Sequence, residues 1–206
     1  NLDNKNIFKF KSQIVTPWEE NNWVRGKFFF CDEDWRKFPT TILLHGWNDE
    51  LGYQYRFPYL ARKLNGHKIN VAVIELPYHL QRRPRGSNAI TNFISEDLWR
   101  MVEATRQSIA DVRALVKWFH AQGCGNVGLW GTSLGAWLTG LIVCHEPQVN
   151  FAVLTTPVAK LERVINELAF CEPIRRSYEK SKIDLAKLNL VSHRPKAARE
   201  KILIQE

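Results

Sequence analysis

Val127-Gly-Leu-Trp-Gly-Thr-Ser-Leu-Gly-Ala-Trp137 is the stretch on which the reading of this chain turns. Residues 126–130 have the length and apolar character of a buried strand. Residues 134–144 are apolar on almost every side, the pattern of a buried helix. Between them, Gly131-Thr132-Ser133-Leu134-Gly135 leaves almost nothing in which a strand can become a helix. So tight a turn has no room for side chains two positions either side of its centre, hence the glycines, and it holds the central residue in a strained conformation. The central hydroxyl then projects beyond the carboxyl end of the sheet, beside the amino end of the helix. Ser133 is therefore the candidate nucleophile. The spacing alone is common, and an ordinary turn with serine as helix cap shares it. The strand before and the helix after favour the reactive geometry.

Outward from this turn the chain alternates. A strand is expected over residues 23–30, near the sheet edge, and residues 1–22 show no clear period. A charged turn leads to a short apolar strand over residues 40–44, ending in His45-Gly46-Trp47-Asn48-Asp49. Phe57, Leu60, Ala61 and Leu64 keep the spacing of one buried helix face, with Pro58 in the first turn and Gly66 as the stop. Residues 69–76 read as a strand, followed by a loop that carries His79, Arg82, Arg83 and Arg85. The longest helix is expected over residues 94–121, a strand over 151–155, short helices interrupted by Pro173 over 161–190, and a last apolar strand over 201–205. No repeat or linker divides the chain, so one domain is expected over 1–206, with a lid-like insertion at 158–195. Alternation of this kind means an α/β fold: a mostly parallel sheet with helices on both faces, binding ligands beyond the carboxyl ends of its strands.

Composition narrows the classes. Eight Trp and eleven Phe in 206 residues suit a packed core rather than a disordered chain. No run approaches a membrane span, and no charged-then-apolar signal opens the chain. Cys31, Cys124, Cys144 and Cys171 are widely spaced, without the spacing of a zinc site. They read as reduced thiols, which points to a cytoplasmic setting. The formal charge of +8 raises nucleic acid as a partner. The basic residues of 175–201 alternate with acidic ones and carry no nucleic-acid signature, so a solvated face is expected and no nucleic-acid partner.

The order of these segments resembles the α/β-hydrolase superfamily over residues 23–206. Two motifs carry the resemblance in the right order: His45-Gly46-Trp47 after one core strand, and Gly131-Thr132-Ser133-Leu134-Gly135 after a later one. The wording of the segments also looks like the family named after α/β-hydrolase domain protein eighteen. The resemblance implies an oxyanion hole formed by the backbone N–H groups of Trp47 and Leu134. Fixed donors of this kind stabilise the charge that develops on an attacked ester carbonyl. No cofactor and no metal are implied, and the substrate is expected to be a small-molecule or lipid-like ester. His45, His79 and Arg82 are candidate substrate contacts. His79 is also the best internal substitute for a catalytic base, and His45 is expected to brace its own loop. Arg82, Arg83 and Arg85 read either as solvated loop charge or as a grip on an anionic group.

In the superfamily the triad acid and histidine follow the serine in the chain. The position after residues 151–155 holds Thr155-Thr156-Pro157-Val158, with no carboxylate, which moves the acid to just past residues 201–205. Glu206 stands one residue beyond that strand, and the histidine is expected after one further strand. Ending directly on an apolar strand is the pattern of a hydrolase cut short at its carboxyl end, and the competing reading is a complete, non-catalytic binding relative.

Overall fold

The computed structural model describes residues 6–87 and 93–206. Seven strands form one sheet: β1 (Ile7–Lys11), β2 (Trp23–Phe29), β3 (Thr40–Leu44), β4 (Asn70–Ile74), β5 (Val127–Thr132), β6 (Phe151–Thr155) and β7 (Ile202–Gln205). Their spatial order is β1-β2-β4-β3-β5-β6-β7. β1 and β2 run antiparallel to their neighbours, and every pair from β4 to β7 is parallel.

The central strands β3 and β4 are buried along their whole length, as a parallel sheet covered on both faces requires. Leu43, Val71 and Val73 pack with Tyr53 and Phe57 on one face, where α1 (Phe57–Gly66) lies. Ile42, Leu44, Ala72 and Leu129 join the main core with α2 (Leu98–Ala121) and α3 (Leu134–His145). The alternation of side chains across each strand thus supplies both helical layers.

Three details depart from the sequence reading. β1, within a segment read as having no clear period, forms the sheet edge, next to the near-edge strand over residues 23–29. Its alternation of Phe8 and Phe10 with lysines was the available signal, in a run of five residues within a polar segment. Residues 1–5 of that reading lie outside the described residues. The long helix starts at Leu98 rather than 94, because the Asp97 side chain accepts from the Arg100 N–H at 3.0 Å and caps it there. Pro173 does not interrupt a helix but opens α5 (Glu172–Lys180), where its missing N–H is no loss. With α4 (Leu161–Glu167), α5 forms a short helical segment between β6 and β7, where Leu161, Ile165 and Ile174 turn into the core.

Candidate active site

The strand-to-helix turn has the geometry its sequence implies. Ser133 sits at φ 52° and ψ −114°, between the end of β5 and the first residue of α3. A non-glycine residue in this region is strained, and surrounding contacts must hold it there. The Ser133 N–H donates to the Thr155 carbonyl at 2.9 Å, and its own carbonyl accepts from the Trp137 N–H at 3.0 Å. Its side chain makes no cap bond, so the hydroxyl is free and exposed. The flanking glycines are steric necessities. A Cβ on Gly131 would strike the Gly135 carbonyl, and one on Gly135 would strike the Leu44 carbonyl. Gly135 therefore lets α3 rest directly on the end of β3, which brings the turn beside the His45-Gly46-Trp47 loop.

That loop is held by His45. Its Nδ1 lies 2.7 Å from the Gly46 carbonyl, and its Nε2 accepts from the Leu76 N–H at 3.1 Å. One neutral tautomer, with the proton on Nδ1, satisfies both contacts. The Gly46–Trp47 peptide is trans, so anchoring the Gly46 carbonyl also sets the direction of the Trp47 N–H, which points the opposite way within the same plane. Among the described residues neither the Trp47 nor the Leu134 N–H has a hydrogen-bond acceptor. The Leu134 N–H belongs to the first turn of a helix, where unsatisfied donors and the dipole favour an anion.

The candidate substrate contacts fare differently. His45 is buried with both nitrogens spent, so it braces the loop and offers nothing to a ligand. Arg82 is neither a solvated loop charge nor a ligand grip. It is fully buried, and its guanidinium binds the Asn21 and Glu75 carbonyls and the Asp111 carboxylate, the last at 2.8 Å. Ser12 donates to the other Asp111 oxygen at 2.6 Å. This network ties the N-terminal segment, the loop after β4 and α2 together. Arg83 pairs with Glu50, and Arg85 with Glu20 at 3.3 Å.

His79 is buried against His45, ring centroids 4.9 Å apart, and its Nδ1 lies 2.8 Å from the Pro77 carbonyl. Its Nε2 is buried without a partner among the described residues. Burial, with His45 and the nearby arginines adding to it, holds its pKa down at about 3. So weak a base is poorly matched to taking a serine proton near neutral pH, and the substitute-base reading of His79 is set aside.

Burial likewise lowers His45 to about 4. Both histidines are neutral when folded and titrate near 6.5 when unfolded. As pH falls from about 6.5 toward 4 the unfolded chain takes up protons that the folded one does not, so stability drops through that window. The loss is on the order of 3 kcal/mol for each histidine. Urea midpoints between pH 7 and 4 check this, and His79→Gln is expected to remove about half of the slope.

Among the described residues no group of His, Cys, Asp and Glu has the arrangement of a metal site, and no helix is long and apolar enough to cross a membrane. All four cysteines are free.

The sheet order, the strained serine and the facing loop define an α/β-hydrolase fold. A family model described as "Alpha/beta hydrolase domain containing 18" matches residues 18–172, more than half of the chain, and the chain belongs to that family. Uncharacterized protein Rv2627c of Mycobacterium tuberculosis is 33% identical over 96 residues, which cover 45% of this chain and 22% of that protein. Among solved structures, a cold-adapted esterase from an Arctic intertidal metagenomic library superposes with a TM-score of 0.59 at 16% identity, covering 97% of this chain and 82% of that one. The esterase Pf2001 of Pyrococcus furiosus gives 0.54 at 16% identity, covering 89% and 61%. Est1E of Butyrivibrio proteoclasticus, bound to ferulic acid, gives 0.55 at 13% identity, covering 71% and 54%. These likenesses establish the fold. This chain spans about a fifth of the mycobacterial relative's length in their alignment, and 54% of Est1E.

Proposed function

We propose that the protein is a serine hydrolase that cleaves a carboxylic ester through an acyl-enzyme intermediate. The observation that carries this reading is Ser133, exposed and held at φ 52° between β5 and α3, with the Trp47 and Leu134 N–H groups lacking acceptors among the described residues. In the reaction the Ser133 hydroxyl adds to the ester carbonyl as a histidine takes its proton. The carbonyl oxygen becomes an oxyanion, held by the two N–H groups without reorganisation. The intermediate collapses, the proton passes to the departing alcohol, and water then releases the acid from Ser133 by the same steps in reverse roles.

In this reading the triad acid and histidine follow β7 in the superfamily order, the acid within a few residues of the strand and the histidine after one further strand. The segment between β6 and β7 is the lid. A small-molecule or lipid-like ester is the substrate, without cofactor or metal.

Labelling with a fluorophosphonate tests the proposal. In the full-length protein the adduct is expected on the peptide that carries Ser133, and Ser133→Ala is expected to remain unlabelled. A full-length protein that stays unlabelled while folded would instead support a non-catalytic binding protein on this fold.

A further inference from the structure

A cleft of about 670 Å³ opens beside the candidate oxyanion loop. Trp47, Ile94, and Phe170 and Ile174 of the segment between β6 and β7 line it. Its volume falls within the range of small-molecule sites, and its walls are mainly apolar. The Trp47 and Phe170 rings stack with centroids 5.8 Å apart, yet Phe170 is 57% exposed. A large aromatic ring left in water next to a cleft is a contact surface that the protein's own core does not use.

The polar end of the cleft carries the exposed side chain of Glu96, which has no ion pair among the described residues. Asp97 accepts from the Arg100 N–H as a helix cap and pairs with the Arg100 guanidinium at 3.2 Å, and that guanidinium also lies over the Trp18 ring, 5.0 Å from its centroid. Asp97 and Arg100 are thus occupied with one another, and the Glu96 charge disfavours an anionic group.

We propose that this cleft is the specificity subsite of the ester site, taking a mainly apolar, non-anionic group of the ester. The proposal rests on the hydrolase reading for its link to Ser133, because the residue whose backbone N–H would hold the oxyanion also lines the cleft. The apolar group belongs either to the acyl part or to the alcohol part of the ester. Phe170 is the residue of this subsite that is most open to substitution, because its exposed ring is not part of the core.

Two measurements on the full-length protein test the subsite. The first is selectivity, as kcat/KM for p-nitrophenyl decanoate over p-nitrophenyl acetate (acyl arm), and for decyl acetate over methyl acetate (alcohol arm). Phe170→Asp is expected to lower one of the two ratios at least tenfold, whereas Tyr55→Asp, exposed on the opposite side of the sheet, leaves both within twofold. The second is binding of 2-decanone, an uncharged and uncleavable ketone, followed by calorimetry. Phe170→Asp is expected to weaken it at least tenfold. Absence of 2-decanone binding, or binding and ratios indifferent to Phe170→Asp, overturns the subsite even where Ser133 labels. Ketone binding that responds to Phe170→Asp in a protein whose Ser133 does not label keeps the subsite and removes the hydrolase reading.

Discussion

Ser133→Ala is expected to lower ester hydrolysis by the full-length protein by about four to six orders of magnitude while leaving its stability within about 0.5 kcal/mol. The two halves of this expectation have separate causes. Activity falls because no hydroxyl remains to form the acyl bond. Stability holds because the side chain is exposed and caps nothing, and alanine keeps the Cβ that makes φ 52° unfavourable. Ser133→Gly separates the effects further. It removes the nucleophile equally, but glycine accepts the backbone conformation, so stability should rise by about 1 kcal/mol. Hydrolysis rates together with urea unfolding of the three proteins check both halves. A fall in rate of less than a hundredfold for both variants would exclude Ser133 as the nucleophile. Unchanged or lower stability in Ser133→Gly would mean that the turn stores no strain.

Asp111→Ala is expected to cost about 3–5 kcal/mol of stability. The reason is the charge left behind. Arg82 and Asp111 are both inaccessible to solvent, so removing the carboxylate strands a guanidinium in the interior. Arg83→Ala, one residue along the same loop, breaks a half-exposed pair with Glu50 and should cost less than about 1 kcal/mol. Replacing both partners, as Arg82→Met with Asp111→Leu, should recover much of the loss, since no unpaired charge remains. Urea unfolding of the three variants decides it. Equal effects of Asp111→Ala and Arg83→Ala would show that the interior pair is not the anchor of this loop. The network also bears on the site, because the loop it secures contains Leu76, whose N–H holds His45, which in turn sets the Gly46–Trp47 peptide.

Much of the architecture was legible in local pattern. The apolar runs at β3 and β4, and the all-round apolar α3, are strong because a strand or helix buried on every side leaves few kinds of residue to choose. The glycines two places before and after Ser133 encoded the close approach of helix and strand, which the Gly135 contact with Leu44 makes concrete. The edge strand β1 was missed because half of its side chains face water and its apolar signal rests on Phe8 and Phe10. The start of α2 was misplaced because Ile94 continues the helical spacing before the cap at Asp97 and lines a cleft instead.

By itself the sequence determined the order of strands and helices, the place of the sharp turn and the identity of the residue at its centre. These follow from interactions within a few positions along the chain: side-chain period, glycine at points of contact, and capping. Only the tertiary structure decided which of the neighbouring arginines carries a structural load and which faces water. Arg82 meets an acid 29 positions away and a carbonyl 61 positions away, so its burial depends on segments brought together by the whole fold. The same holds for His79, whose weak basicity comes from the dry, cationic surroundings that folding builds around it. Local sequence specifies where a side chain starts, whereas its solvation, and with it its chemistry, is a property of everything packed against it.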